Sequence, residues 1–156
     1  MINTKAFSSL SSYHEKLDRL FDSHQRSLFA SAVDAALAAL SRFGSDLDRH
    51  IDFEERRLLP LYADQGLPAA GATLEILQAE HRKLRDSVAN LTQRTEQLFS
   101  AADLPGTILA LLHDEAAFKN LFHHHVAREQ KLLFPTLDER STEEEREMWL
   151  SEIESA

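Results

Sequence analysis

The sequence predicts an all-α protein, an up-down-up-down bundle of four long helices followed by a short fifth. Three observations carry this expectation. Apolar residues recur at intervals of three and four along most of the chain. No stretch sustains the alternation of a half-buried strand. Only four Gly and four Pro interrupt 156 residues, so few breakers stand between long helical runs.

The first helix is expected over about Thr4 to Phe29, with Phe7, Leu10, Leu17, Leu20, Phe21 and Leu28 on its inner side. Ser31, followed by Asp34, reads as the cap of a second helix, its hydroxyl accepting a free backbone N–H of the first turn. That helix runs through Leu37, Leu40, Phe43, Leu47, Ile51 and Leu58 to about Ala63, where Gln65-Gly66-Leu67-Pro68 and Gly71 break it. A third opens near Thr73 and carries Leu74, Leu77, Leu84, Val88 and Leu91 to about Ser100. Asp103-Leu104-Pro105 starts a fourth, proline being tolerated in a first turn, and it reaches roughly Leu137. Ser141-Thr142-Glu143-Glu144 caps a short acidic fifth helix ending near Ile153, its acidic residues complementing the helix dipole. Long helices joined by short connections pack most simply as a bundle. With no linker or composition shift, residues 1–156 are expected to form a single domain, the bundle over about 4–138 and the last helix over about 141–154.

Within this pattern lies an internal repeat. His50-Ile51-Asp52-Phe53-Glu54-Glu55-Arg56-Arg57-Leu58-Leu59-Pro60 aligns without gaps on His125-Val126-Ala127-Arg128-Glu129-Gln130-Lys131-Leu132-Leu133-Phe134-Pro135. Upstream, Phe43 pairs with Phe118 and Leu47 with Phe122. Each copy follows a helix with one histidine among apolar residues, His14 between Leu10 and Leu17, and His81 between Leu77 and Leu84. The bundle therefore reads as two helical hairpins, each with a His and then a His-x-x-x-Glu.

Residues four apart share a helix face, so His50/Glu54 and His125/Glu129 each project side by side, among Phe43, Leu47, Leu58, Phe118, Leu121, Phe122 and Leu133. Six polar groups then point into the core, where an unpaired polar group costs roughly 2–7 kcal/mol. A pair of metal ions compensates them. Four imidazoles supply two nitrogens to each ion, two glutamates bridge, and each ion keeps room for a further ligand. This donor set suits iron, with manganese or zinc as substitutes. The candidate metal ligands are His14, His50, Glu54, His81, His125 and Glu129. Measured by the 3.6-residue turn, His113, His123 and His124 lie about 100–160° from His125, and His24 about 80° off the inner line. These four are expected at the surface or boundary. Glu55, Glu80 and Glu115 are expected to be solvated, with Glu80 a possible partner behind a ligand.

Composition narrows the function classes. Seventeen Lys+Arg against 26 Asp+Glu gives a net charge of −9, which disfavours nucleic acid as a partner. The absence of cysteine removes disulfides, thiolate zinc sites, iron–sulfur clusters and Cys nucleophiles. The most apolar windows, Leu28–Leu40 and Ile108–Leu112, are too short or too interrupted to span a bilayer, and no signal core follows Met1, so the cytoplasm is the expected location.

With these residues in place, the chain resembles the hemerythrin-like (HHE cation-binding) family over about residues 10–138. The resemblance rests on His14, His50-x-x-x-Glu54, Glu80-His81, His125-x-x-x-Glu129 and the Leu-Leu-Pro and Leu-Phe-Pro endings. It implies a four-helix bundle around a non-haem di-iron centre, with His14 and His50 on one iron, His81 and His125 on the other, and Glu54 and Glu129 as bridges. Oxygen carriers of the family have a second histidine on the third helix and His-x-x-x-x-Asp on the fourth. Here Leu77 and Arg85 flank His81, a reduced set similar to bacterial single-domain members and the iron-responsive F-box relative. The family's iron–sulfur repair members have a cysteine-bearing N-terminal segment that does not occur here. The expected function is binding or reaction of a small gaseous ligand or peroxide (O2, NO, H2O2) at a di-iron centre. An iron- or oxygen-responsive sensor or interaction module is the alternative. A ferroxidase or oxidase ranks lower, because no histidine here follows a glutamate by three residues.

Overall fold

The computed structural model describes residues 6–64 and 71–155. The expected start at Thr4 and the Gln65–Pro68 break lie outside them. A 3-10 turn over Phe7–Leu10 leads into α1 (Ser11–Phe29), followed by α2 (Val33–Phe53), α3 (Leu59–Asp64), α4 (Leu74–Gln97), α5 (Leu104–Arg128), α6 (Phe134–Arg140) and α7 (Glu143–Ser155). No strand occurs among the described residues. Four rods form the bundle: α1, α2 with α3, α4, and α5 with α6. α1 packs on α2, α2 on α4, α4 on α5, and α5 back on α1, as the up-down-up-down reading requires. No described helix is long and apolar enough to cross a membrane.

Most helix starts follow the sequence signals. Thr73 Oγ1 accepts from Ile76 N at 3.3 Å and Asp103 Oδ1 from Gly106 N at 3.1 Å. α7 opens on a capping box, in which Thr142 N donates to Glu145 Oε2 (2.8 Å) and Glu145 N to Thr142 Oγ1 (3.2 Å). Ser31 departs from expectation. It ends α1 instead of capping α2, with a left-handed φ of 57°. The Ser31 N–H bonds Leu28 O and the Ala32 N–H bonds Ser27 O, the paired closure of a Schellman turn in which serine takes glycine's usual place. α2 therefore starts at Val33, without a side-chain cap.

The second and fourth rods are not continuous α-helix. Each widens into a π turn, over Glu54–Leu58 and over Glu129–Leu133, closed by Leu59 N to Glu54 O and by Phe134 N to Glu129 O. The cause lies in the repeat. In an α-helix the rings of Pro60 and Pro135 would press on the carbonyls of Arg56 and Lys131, and the looser turn gives them space. Each π turn begins at the glutamate of a His-x-x-x-Glu.

The interior has two apolar clusters with a polar layer between them. One joins Leu17, Phe21, Phe43, Leu47, Leu84, Phe118 and Phe122. The other joins Phe7, Leu10, Leu58, Leu77, Leu133, Phe134 and, from α7, Leu150 and Ile153. His14, His50, His81 and His125 lie in sequence between the two sets on their helices, and burying that layer costs energy unless its polar atoms find partners.

Candidate metal centre

The six singled-out residues converge. Glu54, His81 and Glu129 are fully buried, and His14, His50 and His125 nearly so. His14 and His50 come from the first hairpin (α1, α2), His81 and His125 from the second (α4, α5), and the glutamates from the first residue of each π turn. Their ligand atoms form two groups. One is His14, His50, Glu54 and Glu129; the other is His81, His125, Glu54 and Glu129.

The distances within each group are those of donors around a common centre. His14 Nε2 and His50 Nε2 are 2.9 Å apart. Glu54 Oε1 lies 3.0 Å from His50 Nε2, and its Oε2 lies 3.2 Å from His81 Nε2. Glu129 Oε2 lies 3.2 Å from His14 Nε2, and its Oε1 lies 2.8 Å from His125 Nε2 and 3.8 Å from His81 Nε2. Each carboxylate thus turns one oxygen to each histidine pair. Each group draws three residues from one hairpin and the fourth from the other. Donors about 2.1 Å from a shared ion, at tetrahedral or octahedral angles, stand about 3.0–3.4 Å apart.

The chemistry of the set also fits a cation. All four oxygens of Glu54 and Glu129, with His81 Nε2, are buried and lack an aligned hydrogen bond. Left so, each would cost about 1–3 kcal/mol or more. Without a cation the network leans on proton sharing. Burial alone would push the His125 imidazole down, but the carboxylate of Glu129, with Glu80 and Glu54, carries it up to about 10. His81 follows the same balance, burial opposed by Glu129 and Glu54, and rises to about 9. Burial acts to raise Glu129, yet the imidazoles of His125, His14 and His81 hold it well below the usual carboxylate range.

The far nitrogens of the rings are held differently in the two pairs. His81 Nδ1 meets Glu55 Oε1 at 3.0 Å, and His125 Nδ1 meets Glu80 Oε2 at 2.9 Å. Arg128 Nε donates to Glu80 and a second arginine nitrogen to Gly71 O, tying the entry of α4 to this contact. His50 instead stacks on Tyr13 (centroids 4.9 Å apart) and His14 on Phe134 (5.9 Å).

The family model for the hemerythrin HHE cation-binding domain matches residues 6–137. The chain belongs to that family. No curated protein and no solved structure matches it. Family and buried His/Glu cluster together indicate metal-ion binding by this hemerythrin-like chain.

Three expectations fail here. His24 is fully buried, not at the surface: its Nδ1 donates to Ala36 O at 2.8 Å and its Nε2 meets Glu115 Oε1 at 2.6 Å. Glu115, expected in solvent, is fully buried too, and its Oε2 accepts from Gln25 Nε2 at 2.9 Å. The pair packs beside the Phe21 and Phe118 end of the core and belongs to neither donor group. Glu55 is half-buried against His81 instead of solvated, and Glu80 takes the supporting place expected of it. His113, His123 and His124 are exposed as expected, His123 pairing with Asp18.

Proposed function

We propose that this hemerythrin-like protein is a non-haem di-iron protein that binds or reacts with a small diatomic molecule or peroxide, and that residues 1–156 form one such domain. In this reading His14 and His50 hold one ion, His81 and His125 the other, and Glu54 and Glu129 serve both. The observation that carries it is the turn of each buried carboxylate, one oxygen toward each histidine pair. Manganese or zinc would fit the same donors, and iron is proposed for its redox chemistry. Bound iron supplies electrons and an open coordination position for O2, NO or H2O2.

The chain's own part is enclosure and orientation. The rings of Phe21, Phe43, Phe118 and Phe122 pack at centroid distances of 5.0–6.4 Å beside the polar layer. They keep water and charged solutes out while small uncharged molecules partition in. Glu55 and Glu80 fix the ring planes of His81 and His125 through Nδ1, leaving each Nε2 directed at the glutamates.

Metal analysis and optical spectra of anaerobically reconstituted protein, followed by stopped-flow mixing with O2 and with NO, test this. Two irons per chain and a rapid spectral change with either gas are expected, without a stable, reversibly oxygenated form. A long-lived species that releases O2 under vacuum would restore an oxygen carrier. Iron that reacts with neither gas would leave the sensor or structural reading.

A further inference from the structure

Two of the positions at which the halves of the repeat differ fall behind the histidines. Glu55 aligns with Gln130. Glu80, which precedes His81, corresponds to Tyr13, which precedes His14. Glu55 reaches across to His81 Nδ1, whereas Gln130 is exposed. Glu80 reaches His125 Nδ1, whereas Tyr13 lays its ring on His50 and sends its hydroxyl to Asp46 O at 3.3 Å. His14 Nδ1 and His50 Nδ1 are left buried with no hydrogen-bond partner among the described residues.

We propose that the two metal positions are inequivalent: the His81/His125 position fills first and holds its ion more tightly, because Glu55 and Glu80 act as positioning residues that the His14/His50 position lacks. This rests on the two-ion reading above. A carboxylate accepting from the far N–H of a ligating imidazole fixes its tautomer and plane, makes the near nitrogen a stronger donor, and brings negative charge toward the cation. Arg85 and Arg128 stand behind those carboxylates, with Arg85 Nη1 3.6 Å from Glu55 Oε2 and Arg128 Nε 3.1 Å from Glu80 Oε1. They hold the carboxylates in place, while the carboxylates are the charges that touch the rings. Stacking on Tyr13 and Phe134 sets the planes of His50 and His14 but supplies neither charge nor a hydrogen-bond acceptor.

The test is calorimetric and optical titration of the metal-free full chain with Co2+ alone. Two steps are expected, the first at least tenfold tighter than the second. Glu55→Gln and Glu80→Gln should each weaken the first step about 10- to 100-fold and leave the second within threefold. His50→Ala should retain the tight step and lose the weak one, while His125→Ala loses the tight step, so the assignment does not depend on any one variant folding. Circular dichroism of each metal-free variant confirms that the bundle is intact. Two ions in a single affinity class, glutamine variants that weaken the second step instead, or a His50→Ala chain without its tight step would overturn the inequivalence. A total of one Co2+ per chain would overturn the two-ion reading itself and this proposal with it.

Discussion

Replacing Glu115 with Ala should destabilise the bundle more than any surface change, although Glu115 lies in neither metal-binding group. Its Oε1 meets His24 on α1 and its Oε2 accepts from Gln25, while His24 donates onward to Ala36 on α2, so one carboxylate on α5 fastens three helices. Both members of the pair have no solvent exposure. Removing one partner of such a buried pair costs about 3–5 kcal/mol, because the other is left uncompensated. At roughly 2–4 °C per kcal/mol for a chain of this size, Tm should fall by about 6–20 °C. Urea and thermal unfolding of the metal-free protein measure this, with Glu115→Ala, His24→Leu and the double variant His24→Leu/Glu115→Leu in parallel. The double variant should recover most of the loss, since an apolar replacement of a buried pair is commonly neutral or stabilising. A loss below about 1 kcal/mol in Glu115→Ala, the scale of an exposed ion pair, would refute the reasoning. So would a double variant that falls as far as the two single variants summed.

Glu54→Ala or Glu129→Ala should lose both ions together, as each carboxylate faces both histidine pairs, whereas folded His24→Ala and His124→Ala protein should keep its full metal content; elemental analysis per folded chain decides. Metal uptake near pH 7 should release about two protons, because His81 and His125 titrate near 9 and 10 without metal and must be neutral to bind, and calorimetry in buffers of different ionisation enthalpy counts them. The same raised values mean that these groups stabilise the metal-free fold fully below about pH 6.5, the unfolded-state value, and lose that contribution as pH rises through 9 to 10. Melting curves of metal-free protein should show this alkaline decline. Thr142→Ala should cost about 1 kcal/mol by opening the capping box of α7, seen as a Tm lower by a few degrees.

The bundle and the six-residue cluster were legible because both rest on spacing. Helical periodicity survives tertiary packing, and two gap-free copies of one pattern place the same atoms twice. Glu80 was legible as a supporting group because it adjoins His81. What escaped the sequence reading had specific causes. On an ideal helix His24 lies well round from His14, yet it follows Phe21 by three and precedes Leu28 by four, the reverse of the spacing that sets His14 between Leu10 and Leu17 and equally one that faces a core. Glu115 likewise sits four after Leu111 and three before Phe118. Histidine and glutamate in such positions can occupy a core once each satisfies the other. The π turns carried a signal in Pro60 and Pro135, whose rings disfavour the regular turn before them. Ser31 carried an ambiguous one, since a serine between two helices serves the end of the first or the start of the second, and only backbone conformation distinguishes them.

The sharing of glutamates between hairpins bears on how the molecule is held together. Each ion would take three residues from one half of the chain and one from the other, so two bound ions act as a pair of reversible cross-links spanning the halves. Covalent continuity between the hairpins then becomes partly redundant. A single cut between them should leave loaded protein migrating as one particle, while a strong chelator would loosen the cut form far more than the intact one. Metal supply would in that way govern how well a nicked molecule survives.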